Sequence, residues 1–533
     1  MAETLPATNS ESVPSTEIEI NDQFKKCIDL LEGGRQHLFI TGKAGTGKST
    51  FLTYFRNHTK KRMAVLAPTG VAAVNIEGET IHSFFKFQPN VTLSEAKDIA
   101  KNRRGNRLYQ ELDLMVIDEI SMVRADLLDC VDVFLKTVRD ESTPFGGIQM
   151  AFIGDLYQLP PVVTGEERVV LKNHYPSPYF FDAQVIQSLF PPDEEPRLEL
   201  VELEKIYRQQ DDRFIDLLNS IRNKTMTDDQ VALLNERYRE NLETMDGDSI
   251  YLTATNKQAD ELNKANLEKL TSRRSRFQGT IEGEFDSKSL PTEPDLVLKK
   301  NARIMLLNND SLGRWINGTL GTILKMKKDE MSVRLDSGET VEVLPFTWSH
   351  YRSRYNESSQ AIEKDEIGRF TQFPVRLAWA ITIHKSQGKT FDNVIIDIGK
   401  GAFSFGQIYV ALSRCRRFEG ILLKTPIKKE HIWVDYRVIR FLTNFQYQLS
   451  KTKMSLEERV EIITAAIEGG RKLTITYLKA GDEKSTRVIL PAKIGPMEYQ
   501  GYAFLGIEAY CFTQKGRRVF NVDRILAIAE ADE

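Results

Sequence analysis

No apolar run in the 533 residues approaches the roughly 18 that a membrane helix needs, so no membrane partner is expected. Cysteine is scarce. Cys27, Cys130, Cys415 and Cys511 lie far apart with no CxxC pair, which argues against a disulfide scaffold and a zinc ribbon and points to a reducing, cytoplasmic setting. Neither sign of charge dominates: a net charge of −3 hides local contrasts, so it neither implies nor excludes a nucleic-acid partner. Basic residues are missing from the first 19, "MAETLPATNSESVPSTEIE", where four Glu stand among Ser, Thr and Pro. A signal or transit peptide needs basic residues there, so 1–19 reads as a disordered acidic tail. Solenoid repeats are absent as well. What remains is 41% hydrophobic and 28% charged, enough to build large cores, and long enough for about three to five domains.

From Gln23 onward, short apolar runs alternate with longer amphipathic segments. "HLFI", "RMAVLA", "LMVID" and "GIQMAFIG" read as buried strands between helices, the pattern of a parallel sheet covered on both faces. It restarts at "SIYLTAT", "RLAWAIT" and "NVIIDI" and ends in the helix-like "GQIYVALSR", which predicts a second α/β domain. The expected boundaries are 20–195 and 196–450. A polar insertion at about 88–108 clusters Lys101, Arg103, Arg104 and Arg107, and reads equally well as a solvated loop. A β-barrel insertion is expected at about 312–372, where Asn317-Gly318 and Ser337-Gly338 mark tight turns. Ser455 and Glu458 form a capping box for a helix that Gly469-Gly470 stops, and β-rich sequence follows, so 455–533 reads as a separate small domain.

"GKAGTGKST" follows the strand "HLFIT" and opens a helix, the context a phosphate loop requires. Gly42, Ala44, Gly45, Thr46 and Gly47 supply inward-turned amides, Lys48 a cation for the β- and γ-phosphates, and Ser49, with Thr50 beside it, a hydroxyl for Mg²⁺. "LDLMVIDEISM" then ends a strand in Asp118, a second Mg²⁺ ligand, and Glu119, which can deprotonate an attacking water. That acid pair predicts a hydrolase rather than a kinase. "IGDLYQLPPV" puts Asp155 and Gln158 at another strand end of the same sheet, with Gln158 placed to sense the γ-phosphate or its water.

In their order, "GKAGTGKST", "APTGVAAVNIEGETIHSFF", "VIDEISMV", "PFGGIQMAFIGDLYQLPPV", "EKIYRQ", "ITIHKSQGKTFDNVIID" and "YVALSRCR" resemble a superfamily 1 DNA helicase of the Pif type, a relative of the RecD helicases. The resemblance runs from about Gln23 to about Arg417 and implies two RecA-like domains with ATP between them. The expected fold is therefore α/β: two RecA-like P-loop domains with a small β-barrel insertion and a small β-rich C-terminal domain. Arg208 in "YRQ" and Arg414 in "ALSR" are implied as arginine fingers, and Gln23 as a reader of adenine. Gln387 and Gly388 are expected to face the nucleotide. Thr69, Gly70, Thr80, His82, Thr382, His384, Lys385 and Ser386 are expected to hold DNA phosphates.

The family likeness further implies single-stranded and forked DNA as partners, movement 5′ to 3′, unwinding of duplex, RNA–DNA hybrids or G-quadruplexes, and a place in DNA repair, recombination or replication. A monomer is expected, with a dimer on DNA as the alternative. The rival readings are a single-strand translocase that unwinds little and a nucleic-acid-binding regulator switched by nucleotide. "RKLTITYLKAGDEKSTRVILPAKIG…AYCFTQKGRRVFNVDRILAI" resembles the WYL domain of bacterial regulators, without the namesake triplet. Between Arg471 and Arg524 ten Lys or Arg face five Asp or Glu. Nucleic acid or a nucleotide-like ligand is expected there, on a face carrying Arg487, Arg517, Arg518 and Arg524.

Overall fold

The computed structural model describes residues 19–531 apart from 164, 192–194, 210, 241–248, 286–289, 359–360, 400, 402–403, 480–481 and 500; nearly all of the acidic tail lies outside the described residues. The first sheet consists of β1 (His37–Gly42), β2 (Met63–Ala67), β3 (Glu79–Thr80), β4 (Leu114–Ile117), β5 (Gln149–Ile153) and β6 (Leu198–Leu203). All pairs are parallel, in the order β3-β2-β4-β5-β1-β6. Every residue of β1, β4 and β5 is buried, which is why they read as continuous apolar runs rather than alternating ones. The order β4-β5-β1 sets three carboxyl ends side by side, and all three carry chemistry-bearing residues.

A second parallel sheet has the order Ala380–Thr382, Ile250–Thr253, Val394–Asp397, Ile421–Leu423. One apolar cluster runs through both units, from Phe39 and Phe152 to Ile408 and Leu412. The helix Tyr436–Lys453 strengthens this join: its Phe441 stacks on Phe181 at 4.4 Å between centroids and its Phe445 meets Phe190 edge-on at 4.9 Å.

Two expected boundaries shift. Strand β6 pairs with β1 along its whole length, so the first unit extends to Leu203 rather than ending at 195. The inserted β region is also larger than 312–372. Its five-stranded antiparallel sheet runs Thr340–Val343, Met331–Leu335, Leu320–Met326, Arg303–Leu306, Val375–Leu377, and the long hairpin Phe346–Asn356/Ala361–Gln372 pairs with Thr280–Gly283. The strands Arg274–Gln278 and Thr280–Gly283 were obscured in the sequence because they are mostly exposed and polar. The polar insertion near 88–108 contains a capped helix, Leu93–Lys101, with buried Ala96 and Ala100, instead of a loop.

At the C-terminal end, Ser455 and Glu458 close their capping box, with Glu458 N–H donating to Ser455 Oγ at 3.1 Å, and Gly470 ends the helix at φ 61°. A five-stranded antiparallel sheet follows, in the order Gly516–Asn521, Tyr502–Cys511, Lys484–Tyr499, Leu473–Leu478, Ile525–Glu530, around its own core. Strand alternation puts the neighbours Arg517 and Arg518 on opposite faces, so the four arginines do not form one surface. Among the described residues, no helix is long and apolar enough to cross a membrane.

Candidate active site

After β1 the chain turns through Gly45 at φ 86° and Gly47 at φ 83° into α1 (Lys48–His58). A Cβ on Gly45 would fall 2.5 Å from Cβ of Arg208, so glycine is required there both by backbone and by space. Gly47 caps α1 without a side-chain bond, leaving the helix N-terminus with donors for an anion. Lys48 Nζ donates to Gly42 O at 2.7 Å and Lys43 O at 3.0 Å, folded back over the loop a phosphate would fill.

Asp118 and Glu119 follow β4. Glu119 holds a left-handed backbone, φ 50° and ψ 43°, uncommon for a residue with a Cβ and characteristic of functional turns. Burial raises both carboxyls, and for Glu119 the neighbouring Asp118 adds to the effect, bringing it to about 7. Ser49 and Asp118 offer the hard oxygen donors that Mg²⁺ takes, and a cation beside them would relieve the cost of two buried acids.

The second sheet closes over this edge. Gln387 Nε2 donates to Gln158 Oε1 at 3.2 Å and lies 3.4 Å from Glu119 Oε2, while Gln158 Nε2 donates to Asp155 Oδ2 at 3.2 Å. Arg414 is 1% exposed, and its guanidinium donates to Val410 O, Lys389 O and Ser413 Oγ. Arg208 donates to Ser413 O at 3.3 Å. Burial, with Arg208 adding repulsion, lowers Arg414 to about 9. Among the described residues neither guanidinium has a carboxylate ion pair, so the two together form a site that a phosphate would complete.

A cleft of about 950 Å³ opens here, lined by residues 44–50, Glu119, Gln158, Arg208, Gly388 and Arg414. Thus most of the expected nucleotide residues converge. Gln23 is not among the lining residues; its Oε1 accepts Glu204 N–H at 3.0 Å. Sequence reasoning missed Tyr409, which bridges the two units: its hydroxyl accepts Ala44 N–H at 2.9 Å and donates to Asp155 Oδ2 at 3.3 Å. It also missed Gln209, whose Nε2 donates to Ser413 O and Cys415 O. Both lie inside the motifs "YVALSR" and "YRQ", Tyr409 five residues before Arg414 and Gln209 beside Arg208.

The expected DNA contacts divide. Thr69 and Thr80 cap short helices, accepting Ala72 N–H and Ser83 N–H. His82 and His384 are both pushed down by burial, for His82 with Arg124 adding to it, which favours their neutral rings. Ser386 corrects an expectation: it is fully buried and its hydroxyl donates to Ile383 O at 2.7 Å, so it closes the turn instead of facing DNA. Thr382 Oγ1 accepts Lys385 N–H in the same turn.

The PIF1-like helicase model matches residues 19–232, the UvrD-like helicase C-terminal domain 377–417, and the WYL domain 458–530. The chain is similar to the ATP-dependent DNA helicase Pif1 of Bdellovibrio bacteriovorus, at 31% identity over 81% of this chain and 94% of that protein. Among solved structures it is similar to Bacteroides sp Pif1 in complex with ADP-AlF4, with TM-score 0.71, 37% identity, and 80% and 96% of the two chains covered. Bacteroides Pif1 bound to ssDNA matches at TM-score 0.56, 37% identity, and 80% and 96% coverage.

Proposed function

The chain belongs to the PIF1-like helicases and is an ATP-dependent DNA helicase, and from that premise we propose a division of labour among its residues. The observation that carries it is the cross-cleft constellation: Glu119, Gln158 and Gln387 are joined by hydrogen bonds across two sheets, beside Arg208 and Arg414. Glu119 takes the proton of the attacking water, Gln158 positions that water, and the two arginines neutralise charge developing on the γ-phosphate. Lys48 leaves its loop carbonyls for the β- and γ-phosphates. Mg²⁺, held by Ser49 and Asp118, would neutralise phosphate charge.

Gln387 links this chemistry to DNA. It lies two residues beyond Lys385, and its N–H donates to His384 O at 3.2 Å within the same turn, so a change at the γ-phosphate moves the turn that grips the strand. His82, on the short helix Ile81–Phe85 of the first unit, provides a second grip. Opening and closing of the cleft with each ATP then alternates two grips and moves the protein along a single strand. We take the direction to be 5′ to 3′ and the substrates to include forked DNA, RNA–DNA hybrids and G-quadruplexes, in repair, recombination or replication within a bacterial cytoplasm. The test is unwinding of duplexes bearing a 5′ or a 3′ single-stranded tail, with ATP turnover followed in parallel. Separation of the 5′-tailed substrate alone is expected; turnover without separation would leave a translocase, and separation from the 3′ tail would reverse the polarity.

A further inference from the structure

The C-terminal domain reaches into the motor. Asp482, in the hairpin between Leu473–Leu478 and Lys484–Tyr499, is 9% exposed, and its surroundings belong largely to the helicase core. Tyr157 Oη donates to Asp482 Oδ2 at 2.9 Å, and Gln446 Nε2 donates to Oδ1 at 2.8 Å. The adjacent Lys484 pairs with Glu202 of β6 at 2.7 Å, which anchors the hairpin against the first sheet. An acid inserted this deeply needs a reason, because burial penalises its charge; burial does raise the carboxyl, and Arg222 opposes the rise.

The reason lies on the other side of Tyr157. The guanidinium of Arg222 sits 3.8 Å over the Tyr157 ring and faces Asp155 at 3.9 Å. Asp155 in turn accepts from Tyr157 N–H at 3.1 Å, from Gln158 and from Tyr409, whose hydroxyl holds the phosphate-loop amide of Ala44. A continuous chain of contacts therefore runs from Asp482 through Tyr157 and Arg222 to Asp155, and from there to both the phosphate loop and Gln158.

We propose that Asp482 is a positioning residue for ATP hydrolysis: by fixing Tyr157 and hence Arg222, it holds Asp155 where Gln158 and Tyr409 need it. The C-terminal domain is thus part of the motor as well as an appended module. Without Asp482, the buried Tyr157 hydroxyl loses its acceptor, and Arg222 retains Asp155 as its remaining acid on this chain of contacts. Arg222 then draws on Asp155 in competition with Tyr409 and Gln158. The expected defect is in the geometry of the reacting water, reached only in the transition state, so kcat falls while KM for ATP holds.

The test uses the full chain and single-strand-stimulated ATP turnover, and it rests on the hydrolysis mechanism above: no turnover in the unaltered protein would overturn that mechanism, whereas the ratio between variants bears on Asp482. Asp482→Ala is expected to lower kcat about fivefold with KM for ATP changed less than about twofold. Tyr157→Phe, which deletes one oxygen within the motor, should lower kcat similarly, and the double variant should be no slower than either single one. Asp482→Asn keeps an acceptor for Tyr157 and is expected to restore kcat to within about twofold of the unaltered protein, since Gln446 can turn its amide to match. Lys479→Ala, on the same hairpin but paired with Glu483, should leave kcat unchanged. An unaltered kcat in Asp482→Ala, multiplicative losses in the double variant, or an Asn variant as slow as the Ala one would each overturn the proposal. If Asp482→Ala fails to fold, Tyr157→Phe decides: normal turnover there refutes it.

Discussion

Replacing Glu119 by glutamine should make the protein more stable and almost inactive at once, because the same burial that suits a base is expensive in the resting fold. The carboxyl is raised from 4.5 to about 7, by burial first and by Asp118 second. For an acid whose folded value lies above its unfolded one, the folded state binds the proton more tightly. Stability is therefore lost as pH rises from the unfolded value to the folded one, and the full penalty applies above about 7. The shift corresponds to about 3 kcal/mol. Glutamine carries no such penalty and can still accept from Gln387. In EDTA without nucleotide, Glu119→Gln is expected to raise the unfolding midpoint at pH 8 by several degrees, roughly 2–4 °C per kcal/mol for a unit of this size. The advantage should shrink to under about 1 kcal/mol near pH 5, where little of the penalty remains. Turnover moves the opposite way, losing about 10²- to 10⁴-fold in kcat, or roughly 3–5 kcal/mol of barrier. A midpoint at pH 8 equal to or below that of the parent, or an advantage that persists undiminished at pH 5, would refute the burial argument; a kcat loss under tenfold would refute the assignment of the base.

Arg414→Ala should cost about 10³-fold or more in turnover while ATP binding, followed by a fluorescent analogue, changes far less; parallel losses in both would mean it serves binding instead. Tyr409→Phe removes the partner of Ala44 N–H and one donor to Asp155, so nucleotide-free stability in urea should drop by about 1–3 kcal/mol. Saturating ADP should narrow that gap, since a phosphate then takes the loop amides. On single-stranded DNA, Lys385→Ala should reduce the slope of log affinity against log salt by about 0.7, whereas His82→Ala and His384→Ala weaken binding with the slope unchanged, because burial keeps both rings neutral.

What could be read in advance follows from how local each signal is. The phosphate loop, Asp118–Glu119 and the two arginines sit in contiguous motifs, and buried parallel strands announce themselves as apolar runs; hence residues 44–50, Glu119, Arg208 and Arg414 line one cleft, while Gln23, which rested on loose spacing, does not. Boundaries were harder, since β6 joins the first sheet across a gap of more than forty residues from β5, and nothing in "LELVEL" says which sheet it will enter. Ser386 shows the limit of motif reasoning: residue type and position fit a phosphate contact, yet the turn consumes its hydroxyl.

Asp482 shows a deeper limit. In "LKAGDEKST" an acid beside a glycine reads as a hairpin tip, the most dispensable place in a small β domain. Its meaning comes from Tyr157 and Arg222, 325 positions away in the case of the hydrogen bond to Tyr157. Periodicity reports the face a residue shows to its own element and is blind to a contact between domains. A domain that looked separable by composition is joined to the catalytic sheet by a buried carboxylate, Asp482, and by the ion pair of Lys484 with Glu202 on the same hairpin.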